Sequence, residues 1–267
     1  MNEIVNKYWN SKQLDPDIDG VAAMGDCGRV EIGYRNFFES KHFKKFLSKK
    51  NINILEVGCG SGRWALNLHK HVSIYDGIDI SQPSINIAKQ RVNMQRINNC
   101  NFFCCSIQEY QPNKKYDVIY LSGVTQYIES GELIGLLKII TTWLKSNGKI
   151  IDRSTISLEP ETKKISRDNY YSIYRALDEI INIFDQINLK PIYNNRSYRF
   201  LRIGRLKNFL NHSNIISLIN TLAPVSYKLM YYYTYLQDVI KPKIYSETIC
   251  GRFSHNFMVF IKDEKKR

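Results

Sequence analysis

Three glycines in five positions follow a short apolar run that contains an acid, in the stretch ILEVGCGSGRW at residues 54–64. A strand that passes through such a turn into a helix lets the backbone approach a ligand closely. At the carboxyl end of a parallel strand, this is where open α/β sheets bind nucleotides. The spacing is not that of a dinucleotide site, because the third glycine is Gly62 and the next residue is Arg63. Glu56 would repel a pyrophosphate and attract a cation, so the turn predicts a site for a nucleoside with a positive end.

Alternating strand and helix patterns around the turn predict a parallel sheet. The predicted strands are residues 52–58, 73–80, 99–106, 116–123, 149–157, 190–200 and 255–263. Nearly continuous apolar strands separated by helical patterns are typical of a sheet covered by helices on both faces. Apolar residues at helical spacing also predict an amphipathic helix over residues 168–187.

The motifs resemble those of a known enzyme family in type and order. LEVGCGSGRW, with GIDIS some twenty residues later, resembles motifs I and II of the class I S-adenosylmethionine (SAM)-dependent methyltransferases. The match continues through FFCCSIQEY, YDVIYLSGVTQYI and LKSNGKIIDRS, and covers roughly residues 30–190. The resemblance implies an α/β fold, a doubly wound, Rossmann-like sheet of seven strands whose last strand is antiparallel. It also implies a methyltransferase with SAM as its cofactor.

The same resemblance suggests how the chain is divided. We expect one methyltransferase domain over residues 1–267, with a SAM-binding core at 51–190. Residues 1–50 would form a helical cap, and residues 201–252 a helical insertion between strands six and seven. Residues 253–263 would form the last strand.

Cofactor-binding roles follow from the resemblance, position by position. Asp79 would accept hydrogen bonds from both ribose hydroxyls, a task that suits the two oxygens of a carboxylate. The adenine would be contacted by Ile80, Ser106 and Ile107. The methionine end would be contacted by Glu56, Gly58, Cys59, Gly60, Gly62 and Ser122. The aromatic–arginine pair Tyr34 and Arg35 would hold the cofactor carboxylate, the alternative being that Arg35 is a surface arginine.

Methyl transfer from a sulfonium needs positioning more than acid–base chemistry, but a hydroxyl acceptor benefits from a general base. The carboxyl ends of strands four and five offer Tyr127, Asp152 and Arg153 as catalytic candidates. We expect Asp152 to act as base or to orient the acceptor, and Arg153 to hold an acceptor anion. Tyr127 could equally be a packing aromatic. His212 or His255 could also reach the site.

The charge of the chain is positive and uneven. The formal net charge is +13, and residues 186–267 contain fourteen Lys or Arg against four acids. Such asymmetry indicates an anionic partner, either a phosphate, an acidic sugar, a nucleic acid or a membrane surface. The alternative is a solvated basic face that reflects coding bias.

Two observations reduce the range of candidate methyl acceptors: a motif that the sequence lacks, and a second, looser resemblance. The Asn/Asp-Pro-Pro-aromatic loop of nucleic-acid amino-methylases is replaced by LSGVTQY, which argues against methylation of a base. The segment RDNYYSIYRALDEIINIF is similar to bacterial methyltransferases of surface-polysaccharide assembly. We therefore expect O-methylation of a neutral or anionic sugar or glycan. The alternatives are a lipid, polyketide or amine acceptor, or a SAM-fold binding subunit without catalysis.

Further patterns bear on location and metals. The polar N-terminus and six scattered cysteines predict a reduced, cytoplasmic protein. The apolar segment 214–236 is interrupted by Asn220, Pro224 and Lys228, so we expect a cap over the pocket that could instead lie on a bilayer. The cysteines lack the spacing of a metal site, so no metal is expected.

Overall fold

The computed structural model describes residues 3–11, 29–47, 51–167, 170–200, 213–240 and 252–263. The helices are α1 (Glu3–Asn10), α2 (Arg29–Phe46), α3 (Arg63–Leu68), α4 (Gln82–Met94), α5 (Ser130–Thr142), α6 (Leu177–Asp185), α7 (Ser213–Thr221) and α8 (Ala223–Ile240). The strands are β1 (Ile52–Val57), β2 (Val72–Asp79), β3 (Cys100–Cys104), β4 (Tyr116–Ser122), β5 (Leu144–Ser157), β6 (Lys163–Arg167), β7 (Tyr170–Tyr174), β8 (Leu189–Tyr198) and β9 (Phe253–Lys262).

Seven strands form one mixed sheet in the order β3-β2-β1-β4-β5-β9-β8. β1 lies between β2 and β4 and pairs in parallel with both. β9 is antiparallel to its neighbours β5 and β8. The chain reverses strand order beside β1, which places the carboxyl ends of β1, β2 and β4 around one crevice. The predicted Rossmann-like, seven-stranded sheet with an antiparallel last strand is confirmed.

Helices cover the two faces of the sheet with separate apolar cores. On one face, α5 and α6 pack on the sheet through residues such as Leu137 and Phe184, and the Phe184 ring stacks on Phe260 at 3.8 Å between centroids. On the other face, α2, α3 and α4 contribute side chains that include Phe43 and Trp64. Because these helices cover both faces of the sheet, a ligand approaches the sheet at the carboxyl ends of its strands.

The predicted helix over residues 168–187 is wrong in its first half. Tyr170–Tyr174 is a strand paired antiparallel with Lys163–Arg167, and the helix begins only at Leu177. The segment YYSIY satisfies strand alternation as well as helical period, because β-branched and aromatic residues favour strands. The helix start falls where Asp178 and Glu179 provide negative charge for the first turn.

The insertion before the last strand is helical where the structure describes it. α7 and α8 pack against α2, and Tyr34, Tyr198 and Tyr227 form a small core between them. Residues 201–212 and 241–251 of the predicted insertion lie outside the described residues. In the described parts of the chain, no helix combines the length and apolarity that crossing a bilayer requires.

Candidate active site

A cavity of about 430 Å³ opens at the carboxyl ends of β1, β2, β4 and β5. Its walls come from the glycine turn after β1, from the loops after β2, β3 and β4, and from α1, α2 and the β6–β7 hairpin. Two regions can be distinguished by their chemistry. One is the glycine turn with its two acids, and the other is a region rich in aromatic rings and arginines.

The glycine turn is shaped for close backbone approach. Gly58 has φ of 78°, and a Cβ there would lie 2.3 Å from Cγ1 of Val124. The Gly58 N–H donates to the carbonyl of Ile78 at 2.8 Å, which ties the turn to the end of β2. A side chain at Gly58 would thus have to displace the loop after β4, so the sequence requires glycine.

Asp79 ends β2 and faces the cavity. Its Oδ2 accepts a hydrogen bond from the Gly60 N–H at 2.8 Å, and its Oδ1 accepts one from the Ser81 N–H at 2.9 Å. Burial raises the pKa of this carboxyl, although the backbone donors oppose the shift. A carboxylate has about four lone-pair sites, so each oxygen can still accept a hydrogen bond from a ligand.

Glu56 is buried at the base of the turn and is 1% exposed. It accepts hydrogen bonds from the hydroxyls of Tyr75 and Ser122. Burial raises the pKa of Glu56 to about 8, and the hydrogen bond from Ser122 and the charge of Arg63 only partly offset this effect. A cation placed beside Glu56 would restore its ionised form.

The loop after β3 forms the far end of this region through Cys105, Ser106 and Ile107, opposite Ile80. The backbone N–H and the hydroxyl of Ser106 both donate to Oε2 of Glu109 at 2.8 Å. The sequence analysis did not single out Glu109, which places an acid next to the serine.

A buried charge cluster stands behind the cavity wall. Glu39 of α2 is fully buried and accepts hydrogen bonds from Arg63 Nη2 at 2.9 Å and from Arg153 Nε at 2.8 Å. Burial alone would raise the pKa of Glu39, but the charges of Arg153 and Arg63 outweigh it and lower the pKa to about 2. One negative charge between two positive ones leaves a net positive wall, because both arginines also line the cavity.

The two residues of the predicted pair Tyr34 and Arg35 have different environments in the structure. Arg35 lines the cavity, with its guanidinium 5.1 Å from the ring centre of Tyr198 and Nη2 2.8 Å from Oε1 of Glu31. Tyr34 is fully buried against Tyr198 and Tyr227 and is not among the cavity-lining residues. Tyr34 therefore packs the insertion onto α2, and Arg35 alone can reach a ligand.

Asp152 lies in the core and not on the cavity wall. Its carboxylate accepts hydrogen bonds from the hydroxyls of Ser154 and Thr125, and burial raises its pKa to about 6. Side chains alternate along a strand, so Arg153, its neighbour on β5, is the one that faces the cavity. This position argues against Asp152 as the base.

Tyr127 does line the cavity, at the end of a short 3₁₀ helix, Thr125–Tyr127. Its ring packs edge-on against Trp9 at 5.6 Å and against Tyr170 at 6.2 Å between centroids. Burial raises the pKa of its phenol far above the ordinary value, so the phenol remains protonated. The Tyr127 ring forms part of the pocket wall, and its protonated phenol is not available as a base.

His255 is the one histidine among the described residues that line the cavity. It lies on β9, directly opposite Thr155 of β5, and its Nδ1 is 2.9 Å from the Thr155 hydroxyl. Burial lowers the pKa of His255 well below its ordinary value, and the charges of Arg153 and Arg35 add to the effect. The imidazole is therefore neutral at pH 7. His255 thus reaches the cavity from the predicted last strand, whereas His212 lies outside the described residues.

Aromatic rings make up much of the remaining wall. They are Trp9, Tyr127, Tyr170, Tyr174, Phe200 and Phe253. Trp9 belongs to α1, whose Tyr8 packs edge-on against Tyr170 at 5.3 Å, so the N-terminal helix and the β6–β7 hairpin close the pocket together. Among the residues that the structure describes, no group of His, Cys, Asp or Glu is arranged to hold a metal ion.

Comparison with protein families finds a match that includes the glycine turn. A family profile described as a methyltransferase domain matches residues 54–148, the region from β1 to β5. The chain is 26% identical over 201 residues to the N-terminal Xaa-Pro-Lys N-methyltransferase 1-A of Xenopus laevis, covering 72% of this chain and 86% of the relative. It is 31% identical over 147 residues to the malonyl-[acyl-carrier protein] O-methyltransferase 2 of Ilyobacter polytropus, covering 52% of this chain and 55% of the relative.

Solved structures show the same fold. The magnesium protoporphyrin IX methyltransferase of Synechocystis, solved with bound SAM, is similar with a TM-score of 0.59 and 12% identity, covering 97% of this chain and 96% of that one. A SAM-dependent methyltransferase of Leishmania major is similar with a TM-score of 0.60 and 17% identity, covering 73% and 76%.

The family profile identifies a methyltransferase domain over residues 54–148, and the fold around it is that of solved SAM-dependent methyltransferases, one of which holds bound SAM. The residues of the crevice fit that cofactor. Gly58 lets the turn pack directly against Val124, Asp79 retains lone pairs for a ligand, and Glu56 can ionise beside a cation. When bound, SAM supplies an electrophilic methyl group.

Proposed function

We propose that the chain transfers a methyl group to an oxygen of an acceptor that carries an anionic group, most simply a sugar or glycan intermediate of surface-polysaccharide assembly. One observation carries the proposal. Among the described residues that line the cavity, the acids are Glu56 and Asp79, both at the glycine turn, whereas the wall outside the turn combines aromatic rings with Arg35 and Arg153. Aromatic faces stack on sugar rings, and guanidinium groups bind carboxylate or phosphate.

The cofactor contacts that we propose follow the geometry of the turn. Asp79 would accept the ribose hydroxyls with the lone pairs that Gly60 and Ser81 leave available. Glu56 would face the cationic methionine end. Ile80 and Ile107 would contact the adenine, next to Ser106.

His255 is the proposed general base. As the acceptor oxygen takes the methyl group, its proton passes to Nε2 of the neutral imidazole. Among the described residues, this nitrogen has no hydrogen-bond partner, while the hydroxyl of Thr155 orients the ring through Nδ1. Arg153, held by Glu39, would bind the acceptor's anionic group, and Arg35 would hold the carboxylate of the cofactor. The aromatic walls and α1 would exclude water from the reacting atoms.

Methylation of a carboxylate is the second candidate, because Arg153 suits an acceptor carboxylate as well. A relative that covers about half of this chain is named a malonyl-[acyl-carrier protein] O-methyltransferase. Methylation of a peptide amine fits less well. An α-amino group is largely cationic at pH 7, and the acids on the cavity wall belong to the cofactor turn.

A labelled-methyl assay tests the proposal by the chemistry of its product. Oligosaccharides with and without a uronic acid, an acyl thioester with a free carboxylate, and a peptide that begins Xaa-Pro-Lys would each be incubated with SAM. We expect an alkali-stable methyl ether on the uronic-acid oligosaccharide, with a rate that falls as salt rises. An alkali-labile ester would select the second candidate. Labelling of the peptide alone would contradict both.

The proposed location is the cytoplasm, and the proposed organisation is one domain over the whole chain. Support for the first comes from the four cysteines that the structure describes as free thiols, Cys59, Cys100, Cys104 and Cys105. Thiols that persist unpaired are typical of reducing compartments.

The raised pKa of Glu56 gives a prediction for cofactor binding. In the free protein, this carboxyl stabilises the fold most below its ordinary pKa of 4.5, and that contribution is lost as the pH rises through about 8. A bound cation should ionise Glu56, so SAM binding at pH 7 should release about 0.9 proton. Calorimetry in buffers of different ionisation enthalpy measures this number. Glu56→Gln should bind SAM without proton release, and a wild-type protein that released none would refute the predicted ionisation.

A further inference from the structure

Helix α8 carries a row of exposed apolar side chains on the side turned away from the protein. Together with Leu218 of α7 and Leu222 of the turn between the two helices, they recur at intervals of three and four residues and are 51–64% exposed: Leu218, Leu222, Val225, Leu229, Tyr232, Leu236 and Val239. We call these seven residues the outer stripe. Contiguous apolar patches of this extent mark interaction surfaces in most proteins.

The opposite side of α8 is already occupied. Tyr227 packs against Tyr34 of α2 at 6.2 Å between ring centres, and Tyr231 packs against Phe38 at 5.1 Å. Tyr227 is 3% exposed. The helix is therefore apolar on both sides but covered by the protein on one, and a helix of this kind is expected to be covered on the other as well.

The rim of the outer stripe is basic and aromatic. Lys228 is exposed beside the stripe, and Lys41 of α2 lies close enough to Lys228 for the two charges to repel. Lys41 Nζ also lies 4.1 Å from the ring centre of Phe37, so its charge sits above an aromatic surface. Tyr233 and Tyr235 flank the stripe and are 49% and 43% exposed.

A third cation lies beside the outer stripe, because the guanidinium of Arg199 is 4.9 Å from the ring centre of Tyr235. A second copy of the chain would bring these positive rims against each other, whereas an anionic surface would neutralise them. Tyrosine rings favour the boundary between apolar and polar phases, which an exposed lipid leaflet provides.

We propose that the outer stripe docks the protein on an anionic phospholipid surface, with Lys41 and Lys228 facing the lipid headgroups. α8 would lie along the surface and not cross it. The docking face is one helix away from the cavity, because α2 contacts α8 through Tyr34 and carries Arg35 into the cavity. The proposal does not depend on the identity of the acceptor.

Co-sedimentation of the whole chain with vesicles tests the proposal. Vesicles of phosphatidylcholine alone are compared with vesicles of phosphatidylcholine and phosphatidylglycerol in equal parts. We expect the chain to bind the mixed vesicles. Its binding to the neutral vesicles should be weaker by about tenfold or more, and its binding to the mixed vesicles should weaken as salt rises. The double variant Leu229→Glu/Leu236→Glu should lose most of this binding and keep the wild-type affinity for SAM.

A matched control separates the stripe from the added charge. Met94→Glu/Ile139→Glu introduces the same charge at exposed apolar positions of α4 and α5, which are 76% and 38% exposed, and should bind vesicles as the wild type does. Three results would overturn the proposal: no binding to the mixed vesicles, equal loss in the control variant, or a lipid-free dimer that the stripe variant dissociates. The last result would identify a second copy of the chain as the occupant.

Discussion

Replacing Asp79 with alanine should raise the dissociation constant of SAM by roughly 100-fold or more. The proposed contacts are two hydrogen bonds from the ribose to a charged group, each of which contributes about 1.5–3 kcal/mol, and about 1.4 kcal/mol corresponds to a factor of ten. The variant also frees the Gly60 and Ser81 N–H groups, which now donate to this carboxylate, so the turn itself would loosen. Isothermal titration with SAM measures the effect.

Asp117→Ala is the matched control for this measurement. Asp117 lies near the start of β4, at the end of the sheet away from the crevice, and pairs with Lys145 at 2.7 Å. Its loss should leave SAM affinity unchanged. Unchanged affinity in Asp79→Ala would mean that the cofactor does not use this carboxylate.

Replacing His255 with glutamine should lower kcat by about 10²–10⁴, the usual contribution of a general base. The affinity for SAM should stay the same, because none of the proposed cofactor contacts involves His255. Burial and the nearby arginines lower the pKa of His255, so the wild-type rate should show no histidine-type loss between pH 8 and pH 6.5. Turnover of the acceptor found by the labelled-methyl assay provides the measurement.

Two further variants separate catalysis from folding. Thr155→Ala removes the hydroxyl that orients the imidazole, and should lower kcat by less than the loss of the ring itself. His71→Gln makes the same exchange at an exposed histidine and should have no effect. An unchanged kcat in His255→Gln would exclude this residue as the base.

The sheet and the glycine turn could be predicted because their signals are local. Apolar strands, helical periods and the spacing of Glu56, Gly58 and Gly62 each lie within a few residues of one another. The β6–β7 hairpin could not be predicted in the same way, since the segment Tyr170–Tyr174 fits a helix as well as a strand. Only its pairing with Lys163–Arg167 decides between them.

The predicted site residues that do not line the cavity, Tyr34 and Asp152, have one feature in common, the direction of the side chain. Asp152 and Arg153 are neighbours on β5, and alternation sends one into the core and the other into the cavity. Tyr34 and Arg35 are likewise neighbours on α2, where a step of one residue turns the side chain by about 100°. The order of the motifs locates the segment in the fold. Which of two neighbouring side chains faces the cavity is decided by tertiary structure.

Glu39 was missed for a different reason. Its partners Arg63 and Arg153 lie 24 and 114 residues away, so no local pattern connects the three. An acid surrounded by aromatic residues in the helix pattern of α2 was the available signal, because a buried carboxylate requires partners. The cluster fixes Arg153 at the cavity wall and so connects the fold directly to the proposed acceptor site.

The most direct test of the account is a crystal structure with S-adenosylhomocysteine and the acceptor found by the labelled-methyl assay. We expect the ribose hydroxyls within hydrogen-bond distance of the Asp79 carboxylate, the anionic group of the acceptor on Arg153, and its reacting oxygen next to Nε2 of His255. A nucleoside bound away from the turn of residues 58–62, or an acceptor that does not contact Arg153, would contradict the account.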